Sequence, residues 1–385
     1  MSGATAELIE RVRSLVPLLA EHAAEAERIR RPVDSVIEAL RDASVFDLMV
    51  PATYGGLGLD LDTFVEVGLA LAEGDASTAW VTTFYIEHNW MLCHFPEAFQ
   101  KQLYANRSHV LAPALLVPSG SAEPVDGGFR VSGRWHWGTG VMHAEWVIVA
   151  APLARADGSS EFRFFTLPRD AVEIEDVWRV DGMSGTGSND IRIDAAFVPA
   201  ERSLPIALLG AGDGPGARLH GTPLYRTPMI PILVLAASMP AVGQANAALA
   251  RCRQEMRERI RFGSTSKQAE KPALQIRLAQ AEVEARLAEH LLREIASEVM
   301  SLRAAATPGD RARWAASGAY AVHQSRRVLE SLADASGGSA HFEQHPLQRA
   351  VRDVRALSSH VIFDLDDRLE THGRAMLGFE PSGLI

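Results

Sequence analysis

The feature that most limits the folds open to this chain is a hydrophobic period that changes twice. Residues 1 to about 118 carry a helical pattern, with Leu8, Val12, Leu15 and Leu19 on one stripe and Pro32 placed to open a following helix, VDSVIEALRDA. Asp75 and Ser77 are candidate N-caps of a buried helix, ASTAWVTTFYIEHNWML, whose faces are nearly all small, aromatic or apolar. The period then drops to two. After the turn at Asp126, Gly127 and Gly128, Phe129, Val131, Gly133 and Trp135 alternate with Arg130, Ser132 and Arg134. EWVIVAAPL, SEFRFFTL and NDIRIDAAFVP continue as strands, and helical patterns return around 236–261, 274–302 and 312–333. The order implies a mainly α protein with a central β domain. Its expected parts are an N-terminal helical domain (1–118), a small antiparallel β domain with a loop (119–225) and a C-terminal helical bundle (226–385).

Composition narrows the classes of function. At 385 residues, 47% of them hydrophobic and 22% charged, the chain suits two or three packed subdomains. No apolar run approaches the roughly 20 residues that cross a bilayer, and the acids and bases among the first leucines read as an amphipathic helix, not a signal peptide. A formal charge of −10 with no basic stripe argues against nucleic-acid binding. Cys93 and Cys252 give no disulfide framework and no metal spacing, which points to a reducing cytoplasm. His341 and His345 are four apart, but Pro346 follows at once and no carboxylate pattern surrounds them, so no metal is expected. No GxGxxG follows a strand, and the GxGxG run in GAGDGPGARLHGTP lies inside a Pro-rich loop that reads as a flexible linker.

Four segments carry groups suited to chemistry. GRWHWGTGVMHAEWVIVAA (133–151) holds Trp135, Trp137 and Trp146, which alone would read as hairpin core, and the hydroxyl of Thr139. VWRVDGMSGTGSNDIRI (177–193) has glycines that let backbone approach a ligand, with Thr186 and Ser188 between them. RERIRFG (257–263) offers Arg259, whose fork suits a phosphate, although a lone helical arginine is usually a solvated face. SGGSAHFEQHPLQRAVRDVRALSSH (336–360) is a glycine-serine turn, an Arg-Asp-rich helix and a terminal histidine.

In this order the four segments resemble two-component flavin-dependent monooxygenases (oxygenase components) of the acyl-CoA dehydrogenase fold. The likeness is to hydroxyphenylacetate and steroid-phenol hydroxylases and to dibenzothiophene monooxygenase. It implies an acyl-CoA dehydrogenase-like fold whose C-terminal domain is a four-helix bundle. It also implies flavin contacts from Trp80, Trp137, Gly138, Thr139, Ser188, Arg259, Gly338 and Ser339, with Arg259 and Phe262 in the phosphate-binding signature and the arginine often serving a neighbouring subunit. Thr139 stands where these enzymes often have serine, and Ser184 where arginine is common.

Dehydrogenases of the fold carry a catalytic glutamate after the Arg-Asp helix; here the positions read His360, Val361, Ile362 and Phe363. Resemblance therefore makes His360, His88 and Thr139 the catalytic candidates, since imidazole exchanges protons near neutral pH. His88 also reads as a core histidine, and His136 and His143 as residues that orient the β hairpin. The implied reaction uses FMN or FAD, reduced by a separate NAD(P)H:flavin reductase, and O2. It proceeds through a C4a-hydroperoxide and hydroxylates a small aromatic substrate, phenolic or polyketide-like, in a homotetramer. Alternatives are an acyl-CoA dehydrogenase with FAD that uses Glu370 or Glu343 as base, an N- or S-oxygenating relative, and a non-catalytic flavin-binding protein. Phe84, Tyr85, Trp90, Met91 and Phe342 are candidates for an aromatic pocket and equally for core packing.

Overall fold

The computed structural model describes residues 3–155, 158–260, 263, 265–381, 383 and 385. Helices α1 (Gly3–Ile29), α2 (Asp34–Asp42), α3 (Leu61–Gly74), α4 (Ala76–Leu92) and α5 (Glu97–Leu103) come first. Every residue of α4 is buried. Asp75 caps it, accepting the Thr78 N–H at 2.8 Å and the Thr78 hydroxyl at 2.7 Å, while Ser77 lies inside the first turn. Pro32 precedes α2 instead of opening it, because Val33 takes the N-cap position.

Strands β1 (Ala114–Leu115), β2 (Ser121–Val125), β3 (Gly128–Gly138), β4 (Trp146–Ala154), β5 (Ser160–Pro168), β6 (Glu173–Glu175), β7 (Asn189–Pro199) and β8 (Ser203–Pro205) form one sheet. Its order is β6-β7-β3-β2-β4-β5-β8, with β1 on β4. The sheet is mixed, not purely antiparallel as the sequence suggested, since β1 and β2 both pair with β4 in parallel. Trp135 is buried and donates its indole N–H to Ala150 O at 2.7 Å. Between Trp135 and Gly138 the β3–β7 register slips, and Trp137 takes a left-handed φ of 64°. That irregularity turns Trp137 outward, 63% exposed, so Trp135 follows the core reading and Trp137 does not.

Short helices α6 (Ile206–Ala211) and α7 (Pro215–Leu219) lead to α8 (Met229–Glu258), α9 (Pro272–Leu302), α10 (Pro308–Ser336), α11 (Pro346–Leu357) and α12 (Leu365–Met376). The glycine- and proline-rich stretch is packed structure instead of a linker: a Cβ on Gly216 would lie 2.2 Å from Cys93 O. By length and composition α8 could cross a membrane, contrary to the sequence expectation; 78% of its most apolar window is buried against neighbours, as in a core helix. Arg303 ties the layers together, donating to Thr227 Oγ1 at 2.7 Å and Asp60 Oδ2 at 2.6 Å. Cys93 and Cys252 are buried free thiols.

Candidate active site

The irregular end of β3 delivers Thr139 against α4 and the segment that precedes β7. Trp80 donates its indole N–H to Thr139 Oγ1 at 3.2 Å. Thr139 Oγ1 lies 3.1 Å from Ser188 Oγ, Ser188 Oγ lies 2.8 Å from Thr186 Oγ1, and Thr186 donates to Met183 O at 2.9 Å. Each hydroxyl has a single hydrogen to give, an indole N–H can only donate and a carbonyl can only accept. The two ends therefore fix the direction of the whole chain. Thr186 has spent its hydrogen on Met183 O, so Ser188 donates to Thr186, and Thr139 donates to Ser188. Thr139 is left with one acceptor lone pair and no hydrogen for a ligand.

The far end of this chain is held from α11. Met183 has a left-handed φ of 57°, a conformation unfavourable for a residue with a side chain. Its N–H donates to Asp353 Oδ1 at 2.6 Å, and its carbonyl also accepts the Trp178 indole N–H at 3.0 Å. Arg352 donates to Asp181 O at 2.7 Å, and a Cβ on Gly182 would stand 2.2 Å from Arg352 O, so only glycine fits between loop and helix. Burial first, and the nearby Asp75 second, push Asp353 up to about 7. Among the candidate site residues drawn from the sequence, Asp353 was absent; the Arg-Asp pair in RAVRDVR was the visible signal.

The same helix leads to His360, whose ring meets Trp80 edge-on at 5.5 Å between centroids. Trp80 packs on Phe84 at 4.8 Å, and Phe84 on His88 at 5.6 Å. Thus Trp80, Thr139, Ser188 and His360 gather in one place, with His88 joined through Phe84. The two imidazoles have opposite hydrogen placement. His88 Nδ1 lies 2.8 Å from Ala112 O, which can only accept, so the hydrogen sits on Nδ1 and Nε2 is an acceptor. His360 Nδ1 accepts the Ile362 N–H at 3.3 Å, so its hydrogen sits on Nε2, a donor. Burial lowers His88 to about 3 and His360 to about 4, which keeps both neutral at physiological pH.

Arg259, Gly338 and Ser339 form a second cluster. Arg259 donates to Ser336 O at 2.7 Å and to the Ser339 hydroxyl, beside Gly338, where an added Cβ would meet nothing. This cluster lies at the far end of α8. Thr83 on α4 donates to Ala236 O, and the remaining α8 residues to Glu258 span about 33 Å at about 1.5 Å per residue. Phe262, matched with Arg259 in the sequence, lies outside the described residues. Gly138 is paired opposite Asn189 and leads the chain from exposed Trp137 into Thr139.

Other candidates fall elsewhere. Tyr85 donates to Gly140 O and Trp90 to Leu224 O, so both are core residues, while Phe342 is 67% exposed. Glu343 and Glu370 are exposed, which removes the carboxylates offered as dehydrogenase bases. Among the described residues no cluster suits a metal; His345 caps α11 and faces Glu255 at 3.5 Å. Ser184 donates to Val180 O at 2.8 Å. His136 pairs with Asp190 at 2.8 Å within the sheet, whereas His143 meets Asp34 at 2.9 Å and joins the sheet to the N-terminal helices.

Residues 5–108 match the family described as acyl-CoA dehydrogenase, N-terminal domain, and residues 235–365 the acyl-CoA dehydrogenase, C-terminal domain. The N- and C-terminal helices pack on each other in one core, and the mixed sheet carries a second core of its own. The chain is 35% identical over 372 residues to a pigment production hydroxylase of Rhodococcus sp. (strain ATCC 21145), covering 96% of each chain. It is 32% identical to the FADH(2)-dependent resorcinol hydroxylase, oxygenase component, of Rhizobium sp. (strain MTP-10005), covering 98% of this chain and 95% of that one. The crystal structure of 3-HSA hydroxylase from Rhodococcus sp. RHA1 superposes with a TM-score of 0.92 at 30% identity, covering 98% of each. The chain belongs to the flavin-dependent monooxygenases, as an oxygenase component built on the acyl-CoA dehydrogenase fold.

Proposed function

We propose that this enzyme hydroxylates a small aromatic substrate with reduced flavin and O2, the flavin being supplied by a separate reductase. The observation that carries the reading is the directed hydroxyl chain that ends on Thr139 between Trp80 and His360. Reduced flavin bears a hydrogen on N5, and Thr139 offers the complementary acceptor; oxidised N5 is an acceptor and would face a hydroxyl with no hydrogen to give. The donor set therefore fits the reduced form. When bound, reduced flavin supplies the two electrons that allow one atom of O2 to enter the substrate while the other leaves as water.

The chain's own groups divide the remaining work. Trp80 and Phe84 provide apolar walls that exclude water from the ring. His360 donates from Nε2 to the substrate hydroxyl oxygen, which stabilises its phenolate character, and His88 Nε2 is available as a hydrogen-bond acceptor. Arg259, at the end of α8, and Ser339, which it meets there, stand too far from Trp80 to reach a flavin bound there in the same copy. We assign them to the flavin phosphates of a neighbouring copy, in a homotetramer. The FADH(2)-dependent resorcinol hydroxylase among the relatives favours FAD over FMN here.

The test is incubation with a flavin reductase, NAD(P)H, 18O2 and a panel of phenols, with mass analysis of the products. One 18O atom per product supports the assignment. Consumption of O2 with no labelled product from any member of the panel opposes it, and reduction of bound flavin by an acyl-CoA would restore the dehydrogenase alternative.

A further inference from the structure

Glu87 is the least comfortable side chain in the helical core. It is fully buried, and neither carboxyl oxygen has a hydrogen-bond partner among the described residues. Burying such a group unpaired is costly, so an orphaned carboxyl calls for an explanation. Its position supplies one. On α4, residues seven apart return to within about 20° of each other, so Glu87 shares the stripe of Trp80, Phe84 and Met91 and is next in sequence to His88. The stripe faces the site, because Trp80 touches Thr139 and His360, and Phe84 touches both Trp80 and His88.

The helix opposite cannot satisfy Glu87. Thr83 is anchored to Ala236 O and Trp90 to Leu224 O, which sets α4 and the start of α8 side by side in opposite directions. Between those anchors the first residues of α8, Met229 to Leu235, read MIPILVL and bring no polar side chain.

We propose that Glu87 is the residue that selects the substrate: its carboxyl hydrogen-bonds a second hydroxyl of a neutral, dihydroxylated aromatic ring, one distinct from the hydroxyl that faces His360. This rests on the reading of the site as an aromatic hydroxylase. Burial raises Glu87 well above the ordinary carboxylate range, so the acid is neutral and both donates and accepts. A ring hydroxyl has the same two capacities and completes both. A ring bearing a carboxylate would place a charge against an apolar helix face and is disfavoured.

The experiment compares wild type with Glu87→Met, an apolar side chain of similar length, and Glu87→Gln. Thermal melting is measured without ligands. Anaerobic calorimetry on protein holding reduced flavin then gives the affinities of phenol, catechol, resorcinol and hydroquinone. Wild type is expected to bind at least one dihydroxybenzene about tenfold to a hundredfold more tightly than phenol. E87M is expected to melt at or above wild type, to bind phenol unchanged and to lose that preference; E87Q keeps part of it. A preference that survives E87M overturns the proposal, as does a wild type with no preference or a fall in melting temperature in E87M. Reaction of the same samples with O2 judges the hydroxylase reading separately, since it does not depend on Glu87.

Discussion

Asp353 on α11 accepts the N–H of Met183 at 2.6 Å, and Met183 O is where the hydroxyl chain from Trp80 ends. One carboxyl thus holds the strained residue on which Thr186, Ser188 and Thr139 depend, from the same helix that carries His360. Asp353→Ala removes the acceptor and is expected to weaken reduced-flavin binding about tenfold. Asp353→Asn keeps an acceptor oxygen and should restore most of it. Equal loss in both variants would mean that the charge, not the contact, matters.

That pair also sets a pH dependence. Asp353 titrates near 7 in the folded protein and at its ordinary 3.8 when unfolded, so across this window the folded state keeps a proton the unfolded chain has lost. Stability contributed by Asp353 therefore falls as pH rises from about 4 to about 7. Melting curves of Asp353→Asn should be flatter over that window, with their largest gain relative to wild type above pH 7.

His360 works in the opposite sense. Its folded value is about 4 against an ordinary 6.5, so the unfolded chain binds a proton that the folded protein refuses, and stability is lost as pH falls through that range. His360→Ala should melt with less dependence on pH between 4 and 6.5. It should also abolish hydroxylation while leaving flavin affinity within about twofold, because His360 is assigned to the substrate and not to the flavin phosphates. Full turnover by the variant would remove His360 from the mechanism.

Thr186→Val tests the direction of the hydroxyl chain. Without the terminal acceptor, Ser188 and Thr139 can reverse, and Thr139 gains a hydrogen to offer oxidised N5. The preference for reduced over oxidised flavin, measured as a ratio of dissociation constants, is expected to fall about fivefold to tenfold. An unchanged ratio contradicts a fixed direction.

Arg259→Gln is expected to weaken reduced-flavin binding about tenfold to a hundredfold, as loss of a charged hydrogen bond implies. Mixing it with His360→Ala under exchange of subunits tests whose flavin Arg259 serves. Recovered turnover in the mixture shows that it acts on a neighbouring copy; no recovery assigns it to its own.

Much of this is legible in the sequence. Period changes marked the helical and β segments because a buried strand and an amphipathic helix repeat differently, and Asp75 announced α4 through its cap. Trp80, Thr139, Ser188 and His360 converge although 280 positions separate the first from the last, and only the family resemblance joined them. What stayed hidden depends on pairing across the chain. The parallel strands at β4 are fixed by register, Trp137 is turned out by a bulge, and Asp353 matters through a backbone N–H 170 residues away. Glu87 could not be singled out, since a lone acid in an apolar helix does not reveal whether a partner waits opposite.

The most direct test is stopped-flow absorbance after protein holding photoreduced FAD or FMN is mixed with oxygenated buffer. The account predicts a long-lived transient distinct from both reduced and oxidised flavin, shortened in Thr139→Val, whose hydroxyl is gone. Immediate return of oxidised flavin at the rate seen without protein would contradict it.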